Sequence, residues 1–535
     1  MAPAGPGGWL RRLAVAAAAT LSVLVAACGG GSTTTTGTSQ TGPPQRGGSL
    51  NYLVSGPLAN WDRGLDTASG GAAPSIFEDA IYGQLFRLTA AGDVEGVLAT
   101  GYQFSDGGKT VTISLRQGVQ FQDGTTFNAS AVAWNITRDL ATTCVCSPVT
   151  SWPKFGPEGV TTPDDHTVVL HFSRSYGAAI SALITSSVNH IASPAAVQKL
   201  GDEFKLKPVG AGPFEMVSNI VSSQLVLKRN DGYFKKGQPY LDKLTFTTIG
   251  GDQPAYQALQ AGQAQAVGIT TPALIQQAKQ NASLTVALTP STAPWVIQLN
   301  TAIPPFNNKT AREAIYYATD PDAMRTHLFG NLFASTQSFT GPAGLFFTPK
   351  VPGYRTYDLA KAKQLVTQLG GLSVDLFAGN DNISTTTLQA LQTQWAQAGI
   401  QTTIRPDPDL TRIIQEFTGK KWQAGLQLVG AYDPAVGAGL PFRYLSTAVY
   451  SGVHDPTLDQ MMDEAASSTD KGTRAKHYAD IAKYISDQAY SPYLFGAVTG
   501  AVALKSVHGP GLTSSIPLPG GFPAPAWDEA WIAKA

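Results

Sequence analysis

Charged side chains are scarce in this chain of 535 residues: 14% of the residues are Asp, Glu, Lys or Arg, whereas an average soluble domain has about 25%. Acidic and basic residues are equal in number, with 37 of each, so the chain has no overall positive charge with which to hold a phosphate backbone. We therefore expect no nucleic acid partner. Because 43% of the residues are hydrophobic, the chain can bury large cores and is not expected to be disordered.

Cysteine is rarer still, with three in the whole chain, too few for a disulfide scaffold. Cys144 and Cys146 lie two residues apart. A disulfide between them would be strained but feasible in an oxidising compartment, and two thiols alone give little support for a soft-metal site. The sequence leaves both alternatives open.

Local motifs for catalysis are also missing. The sequence contains no Walker-A loop, no Gly-x-Ser-x-Gly nucleophile elbow and no His-Glu-x-x-His helix. The seven histidines, which include His166, His171 and His190, do not have metal-ligand spacing. We therefore expect no catalytic residues, no metal site and no cofactor, although a catalytic triad can be assembled without a local motif.

The N-terminus carries the features of an export signal. Two arginines precede the uncharged stretch 13–26, which suits a signal-peptide core and is shorter than the roughly 20 residues of a membrane-spanning helix. The segment 25–28, Val-Ala-Ala-Cys, is followed by three glycines and resembles the lipobox of bacterial lipoproteins. The resemblance implies that residues 1–27 are a signal peptide and that Cys28 receives a lipid. The alternative is an ordinary secretory signal with a stray cysteine.

A tether is expected after the cleavage point. Residues 29–45 consist mainly of Gly, Ser, Thr, Gln and Pro and include no large apolar residue, so they cannot form a core. We assign 28–47 as a flexible tether and expect the folded body to begin near residue 48. The sequence thus predicts an extracytoplasmic protein that is anchored to a bacterial cell membrane by the lipid on Cys28.

Strand-like and helix-like patterns alternate along the remaining chain. Residues 110–115 alternate apolar side chains with hydroxyls, which predicts a strand with one buried face. Asn128 is placed to cap a helix from Ala129 to about Leu140. The same reasoning predicts strands over 225–228 and 241–249, and helices over 253–261, 358–369 and 387–398, each of these helices followed by glycine. The alternation is typical of an α/β protein in which helices cover a sheet.

Four blocks in a fixed order resemble a known family. The first, 106–124, begins Asp-Gly-Gly-Lys-Thr and ends Leu-Arg-Gln-Gly-Val-Gln-Phe-Gln-Asp-Gly. It is similar to the signature of the family 5 extracellular solute-binding proteins, the peptide and nickel branch that feeds ATP-driven importers. The other blocks are Pro208–Phe214, then Asn230 with Tyr233–Phe234 and Pro239–Asp242, then Asn300–Thr301 with Pro304–Phe306 and Arg312–Ala314. The resemblance covers about 48–495 and departs from the family pattern at Thr126 and Ala131.

The fold that this resemblance implies is α/β and two-lobed, periplasmic-binding-protein-like, with a hinge between the lobes and an extra subdomain inserted in the first lobe. The boundaries that we assign are 48–292 plus 496–535 for the first lobe, about 91–205 for the inserted subdomain and 293–495 for the second lobe, with crossings near 294–299 and 491–495. Since the four blocks are rich in Gly, Pro and aromatic residues at strand ends, we expect them to fix turns and seal cores more than to touch a ligand.

The function that the resemblance implies is capture of a peptide or similar small organic solute by closure of the lobes, followed by delivery to the permease of an ABC importer. We expect a monomer that is not an enzyme. One alternative is the same fold used for sensing or cell-envelope assembly, since its sequence would look the same. A secreted lipoprotein hydrolase is the other alternative, against which the missing nucleophile elbow counts.

The ligand contacts are expected near the segment 426–434, Leu-Gln-Leu-Val-Gly-Ala-Tyr-Asp-Pro. In the peptide-binding members that this chain resembles, an aspartate of this segment binds the ammonium group of the peptide, but that position falls on Gly430 here. Asp433 keeps the acid before proline, where it either touches ligand or starts a turn. The candidate wall of the cleft is completed by polar and aromatic residues. The candidate ligand-binding residues are Tyr432, Asp433 and Arg443 on the second lobe, faced by Trp61 and Trp295 from the first lobe and the crossing.

Overall fold

The computed structural model describes residues 42–54, 61–62, 75–141, 153–436, 439–448, 450–516 and 525–534. The predicted signal peptide, the predicted lipidation site Cys28 and the pair of Cys144 and Cys146 lie outside these residues. Within the described part of the chain, no helix is long and apolar enough to cross a membrane.

The secondary structure is mixed throughout the described residues. The strands are β1 Ser49–Val54, β2 Phe86–Leu88, β3 Val94–Gly96, β4 Ala99–Ser105, β5 Thr110–Leu115, β6 Phe155–Asp164, β7 Thr167–Phe172, β8 Phe214–Ile220, β9 Gln224–Arg229, β10 Lys243–Thr248, β11 Ala266–Ile269, β12 Leu284–Leu299, β13 Ala334–Ser335, β14 Leu372–Gly379, β15 Ile400–Asp407, β16 Ala424–Leu428, β17 Tyr493–Leu504, β18 Val507–His508 and β19 Trp531–Ile532. The α-helices are Ser75–Ile81, Ala129–Ala141, Ala179–Ile184, Pro194–Leu200, Asp252–Gln260, Pro272–Gln280, Lys309–Ala318, Pro321–His327, Leu359–Gln368, Asn382–Gln397, Leu410–Thr418, Leu440–Tyr444, Pro456–Ser467 and Lys471–Asp487.

Eleven of the described strands form one mixed sheet. Its order is β15-β14-β16-β12-β17-β11-β1-β10-β9-β8, and β13 pairs with β17 beside this path. The pairs of β1 with β10 and β11, and of β14 with β15 and β16, are parallel, whereas the long central pair of β12 and β17 is antiparallel. Parallel pairs that are joined through helices confirm the α/β class expected from the sequence.

The central pair carries both segments that the sequence identifies as crossings. Strand β12 is 16 residues long and β17 is 12 residues long, and their register places Trp295 opposite Phe495 and Val296 opposite Tyr493. Two register shifts, between Pro290 and Pro294 and again after Trp295, interrupt the pairing. The lobe boundaries themselves remain a prediction.

A separate four-stranded antiparallel sheet, in the order β4-β5-β7-β6, lies within the region predicted as the inserted subdomain. Its apolar side chains belong to a core that also includes apolar residues between positions 431 and 493, among them Tyr432 and Tyr444. This shared core brings the 91–205 region against the segment in which the sequence predicts the ligand contacts.

Most predicted elements agree with the structure, with two corrections at the ends. The strand over 110–115 is confirmed, and Asn128 accepts the backbone N–H of Ala131 at 3.0 Å, as expected of a helix cap. The helix predicted over 387–398 begins earlier, at Asn382, because the side chain of Asp381 caps it through the N–H of Ser384. The strand predicted over 241–249 is shorter and comprises Lys243–Thr248.

The glycines of the second signature block, Pro208–Phe214, lie where two backbone segments pack closely. A Cβ atom on Gly210 would lie 2.3 Å from the Cα of Tyr82, and one on Gly212 would lie 2.6 Å from the carbonyl of Ile81. The N–H groups of Ala211 and Gly212 donate to the carbonyls of Tyr82 and Ile81. No side chain fits between these two chain segments, so the block determines the fold, as its composition suggests.

Candidate ligand-binding site

The segment after β16 lies against the backbone of β12 at close range. A Cβ atom on Gly430 would lie 2.7 Å from the Cα of Ala293, and the carbonyl of Tyr432 accepts the N–H of Leu345 at 2.6 Å. Only glycine fits at residue 430, because any side chain would meet the β12 backbone. The ammonium-binding aspartate that the family resemblance predicts therefore cannot occupy residue 430.

Asp433 is fully buried and is held by an ion pair. Its Oδ1 accepts Nη2 of Arg474 at 2.7 Å and the backbone N–H of Ala435 at 3.0 Å. The second bond is that of an Asx-turn, and the carbonyl of Asp433 accepts the N–H of Val436 at 3.0 Å. The interpretation of Asp433 as a turn residue therefore agrees with the structure. Its Oδ2 is buried and has no hydrogen-bond partner among the described residues.

Arg474, on the helix Lys471–Asp487, uses all three nitrogens of its guanidinium. Besides Asp433, it donates to the carbonyls of Ala465 at 3.1 Å and Gly177 at 3.4 Å and to the hydroxyl of Tyr478 at 3.2 Å. Burial alone would lower the pKa of Arg474, but the charge of Asp433 and the hydroxyl of Tyr478 outweigh burial and raise the pKa. The pair is therefore charged and internally satisfied on the side of the arginine.

Arg443 is also fully buried, yet it is poorly partnered. Its Nη2 donates to the carbonyl of Phe339 at 3.1 Å, while Nε and Nη1 have no partner among the described residues. The guanidinium lies 5.7 Å from the ring centre of Tyr444 and 5.9 Å from that of Tyr493. Arg443 thus has a cation-π environment and two free donor nitrogens.

Aromatic rings join Arg443 to the Asp433 pair. Phe339 packs edge-on against Tyr478 with ring centres 6.1 Å apart, and Tyr478 in turn bonds to Arg474. The hydroxyls of Tyr444 and Tyr493 bond to each other at 2.6 Å. The two arginines and the aspartate therefore belong to one continuous buried cluster.

Tyr432 connects this cluster to the 91–205 region. Its hydroxyl donates to the carbonyl of Gly92 at 2.6 Å. Burial, together with the nearby charge of Asp433, raises the pKa of Tyr432 to about 12. The tyrosine is therefore a neutral hydrogen-bond donor at physiological pH.

The structure brings Tyr432, Asp433 and Arg443 together but places the two predicted tryptophans elsewhere. Trp61 packs edge-on against Phe77 in the core around β1. Trp295 belongs to a third core, while the next residue of its strand, Val296, belongs to the core of Tyr432. Both indole N–H groups are buried without a partner among the described residues, and contact of either tryptophan with a ligand remains a prediction.

Sequence reasoning missed several residues of the cluster. Arg474 and Tyr478 lie about forty residues from Asp433, on a helix whose charges look like those of any solvated face. Ser338 and Thr340 flank Phe339, and both hydroxyls are buried without a partner among the described residues. The only local signal was the spacing of Arg474 and Tyr478, which places both on one helix face.

Metal chemistry finds no support at the cluster or elsewhere in the described residues. No group of three or more His, Cys, Asp or Glu side chains in these ranges could hold a metal ion. What the arrangement offers a ligand is hydrogen bonding, aromatic surface and positive charge.

Comparison with known proteins gives consistent results. The model of the bacterial extracellular solute-binding proteins, family 5, matches residues 93–450. The glutathione-binding protein GsiB of Salmonella typhi is 31% identical over 346 residues, which are 63% of this chain and 65% of that protein. This alignment thus spans slightly less than two thirds of the relative. GsiB of Escherichia coli K12 is 30% identical over 441 residues, 77% of this chain and 81% of that protein.

A solved structure supports the fold. The ABC transporter substrate-binding protein CtaP of Listeria monocytogenes superimposes with a TM-score of 0.77 at 22% sequence identity, and the match covers 92% of this chain and 100% of that one. The periplasmic-binding-protein-like α/β fold expected from the sequence is thereby confirmed.

Proposed function

The chain belongs to the bacterial extracellular solute-binding proteins of family 5, and we propose that it is the substrate-binding component of an ABC importer. In this role it captures a peptide or similar small organic solute outside the cytoplasm and presents it to a permease. It makes and breaks no bonds itself. Use of the fold for sensing or envelope assembly, or as a hydrolase, is not favoured by the relatives.

The observation that carries this proposal is the position of the buried polar cluster between two parts of the chain. The 91–205 region reaches the cluster through Gly92, which accepts from Tyr432, and Gly177, whose carbonyl accepts from Arg474 and whose N–H donates to the carbonyl of Ala466. Arg174 forms an ion pair with Asp463 beside these contacts. A solute held here touches both parts only when they are together, so its binding favours the closed arrangement.

The ligand that suits the cluster is modest in size and polar. Tyr432 offers a hydroxyl and Arg443 a guanidinium, while neighbouring rings offer apolar surface, a combination that is typical of small-molecule pockets. Some relatives are glutathione-binding proteins by name, which agrees with a peptide-like solute. Because Gly430 has no side chain and Asp433 is paired, we do not expect standard capture of a free peptide N-terminus. Trp61 and Trp295 are retained as proposed wall residues.

Anchoring to the membrane is part of the proposal. Family members act outside the cytoplasm, and the lipobox-like segment before Cys28 supports attachment of this chain by a lipid. We propose that the protein is a monomer and that, apart from its solute, it interacts with the permease and the membrane.

The test is to identify what the protein binds. The full chain, purified in detergent, is analysed by native mass spectrometry for co-purifying solutes, and the released solute is titrated back by calorimetry. We expect one organic molecule per chain and weaker binding by Tyr432→Ala. Tyr357→Ala is the matched control, since Tyr357 is partly exposed and lies outside the cluster. Absence of any bound solute, or equal loss of affinity in both variants, would contradict the proposal.

A further inference from the structure

We propose that Arg87 is a positioning residue for the contact between Gly92 and Tyr432. By tying the hairpin of β2 and β3 to the C-terminal segment 527–529, it holds the carbonyl of Gly92 where the hydroxyl of Tyr432 donates to it. This inference rests on the proposed function, in which the 91–205 region and the segment after β16 come together around a solute. Arg87 lies outside the four signature blocks of the sequence.

The hairpin of β2 and β3 presents its two faces to different parts of the chain. Phe86 and Leu88 are buried in the core that also contains Tyr432. Arg87 stands between them on β2, so its side chain points to the opposite face of the hairpin. There it lies directly across from Glu95 of β3 in the register of the two strands. The hairpin thus connects the core of Tyr432 to whatever Arg87 binds.

On that opposite face, Arg87 binds three carboxylates. Its Nε donates to Glu95 at 2.9 Å, its Nη1 to Asp528 at 3.3 Å and its Nη2 to Glu529 at 2.6 Å. Burial alone would lower the pKa of Arg87, but the three carboxylates outweigh burial and raise it. Because the guanidinium is a rigid planar fork, these bonds fix the position of the hairpin relative to the C-terminal segment.

The C-terminal segment is itself firmly held. Trp527 is buried in the core around β1, and its indole N–H donates to the carbonyl of Ile76 at 2.6 Å. Asp528 also accepts Nζ of Lys235 at 2.6 Å and the hydroxyl of Tyr233 at 3.4 Å. The carboxylates that Arg87 binds on this segment are therefore placed by the core and by a second cation.

The far end of the hairpin is a tight turn that moves with its strands. The N–H of Gly92 donates to the carbonyl of Thr89 at 2.9 Å, and the N–H of Thr89 donates to the carbonyl of Asp93 at 2.8 Å. Gly92 has a φ of +82°, which glycine adopts readily. The hydroxyl of Tyr432 donates to the carbonyl of this glycine at 2.6 Å. Since a hydrogen bond weakens steeply when its geometry is lost, a displaced hairpin weakens this contact.

A double-mutant cycle tests whether Arg87 acts through the turn. Tyr432→Phe removes the hydroxyl that donates to Gly92, and the shift that it causes in the urea midpoint is measured in the full-length parent, in Arg87→Met and in Glu529→Gln. Glu529→Gln breaks one ion pair and keeps Arg87, so the cycle is readable even where Arg87→Met does not fold. We expect Tyr432→Phe to cause a smaller shift in both backgrounds than in the parent, because the displaced carbonyl has already lost part of its bond.

Arg229→Met is the matched control background. Arg229, on β9, also binds two carboxylates, those of Asp231 at 2.8 Å and Asp242 at 2.6 Å, and its side chain is 25% exposed against 19% for Arg87. Changes at sites that share no partner add, so Tyr432→Phe should cause its full shift there. A shift of equal size in the parent, Arg87→Met and Glu529→Gln would overturn the proposal, since a merely structural arginine gives additive losses. A shift reduced as much in Arg229→Met would overturn it as well.

The cycle is measured without solute, so its outcome is separate from that of the proposed function. If native mass spectrometry finds a bound solute and the cycle is additive, the inference fails and the transport role stands. If no solute is found while Arg87 and Tyr432 are coupled, the transport role fails and the positioning role of Arg87 stands.

Discussion

At the scale of single residues, the ion pair of Asp433 and Arg474 should be essential for stability. Arg474→Met would leave the buried carboxylate without its counter-ion, and breaking such a pair costs about 3–5 kcal/mol. The same change at Arg405, whose ion pairs are half-exposed, should cost about 0–1 kcal/mol. Urea unfolding of both variants checks the difference. Similar losses in the two variants would show that Asp433 does not depend on its partner.

Asp455 should make the free energy of unfolding depend on pH. Burial would raise the pKa of this carboxyl, but hydrogen bonds from Tyr490 at 2.7 Å, Tyr484 at 2.9 Å and the backbone N–H groups of Thr457 and Leu458 lower it. A lowered folded-state pKa adds stability above the unfolded value of about 3.9 and loses it as pH falls through the folded value.

The measurement is the free energy of unfolding between neutral pH and about pH 3, the range that brackets the unfolded pKa of an aspartate. Asp455→Asn should lose less stability on acidification than the parent, and Tyr490→Phe, which removes one donor, should lie between them. A parent and an Asp455→Asn variant with the same pH dependence would show that this carboxyl is not the source.

The sequence reveals a site residue only when a recognisable pattern lies close to it in the chain. Tyr432 and Asp433 were found because a proline follows them directly. Arg474 was not predicted, because its partner Asp433 lies 41 residues away in the chain. The hydrophobic periodicity of a helix does not distinguish a buried arginine from a solvated one. Arg443 was selected from the sequence as a wall residue, but only the structure shows that two of its nitrogens lack partners.

At the scale of elements, the close approach of the chain at Gly430 to β12 should be sensitive to change. Gly430→Ala places a Cβ 2.7 Å from the Cα of Ala293, so one backbone must shift, at a cost of about 1–3 kcal/mol. Gly250→Ala is the control, since a Cβ there has nothing within 4 Å and the change should stay within about 0.5 kcal/mol. Thermal melts of the two variants compare them. Equal stability would mean that the segment does not pack this closely.

Elements with strong local patterns were predictable, and weakly patterned ends were not. The strand 110–115 alternates along its whole length, and the structure has it with the same bounds. The first turn of the helix Asn382–Gln397 contains Ile, Ser and Thr, which disfavour helix, and the cap at Asp381 outweighs them. The cap therefore sets the N-terminal end of this helix, whereas helix propensity alone places that end later in the chain.

At the scale of the whole molecule, the proposed attachment to the membrane rests on one atom, the sulfur of Cys28. Cys28→Ser should leave export intact and release the protein into the medium, because the lipid supplies about 0.8 kcal/mol for each buried methylene and two chains suffice for stable anchoring. Fractionation and immunoblotting check this. A variant that stays in the detergent-soluble membrane fraction would contradict the lipobox interpretation.

The overall fold was predictable because the four blocks occur in order, and the second of them fixes a close packing of two backbone segments. The contacts between the 91–205 region and the helices after residue 456 could not be predicted from the sequence, because Gly177 and Arg474 are 297 residues apart. In the proposed mechanism, these contacts form when the protein closes around a solute.

Small-angle scattering of the full chain with and without its co-purified solute tests this closure most directly. The parent is compared with Arg174→Asp, which sets like charges against Asp463 and favours the open arrangement. We predict that saturating solute lowers the radius of gyration of Arg174→Asp to the value of the loaded parent, with a smaller decrease or none in the parent. A radius that does not change in either protein at saturation would contradict binding by closure.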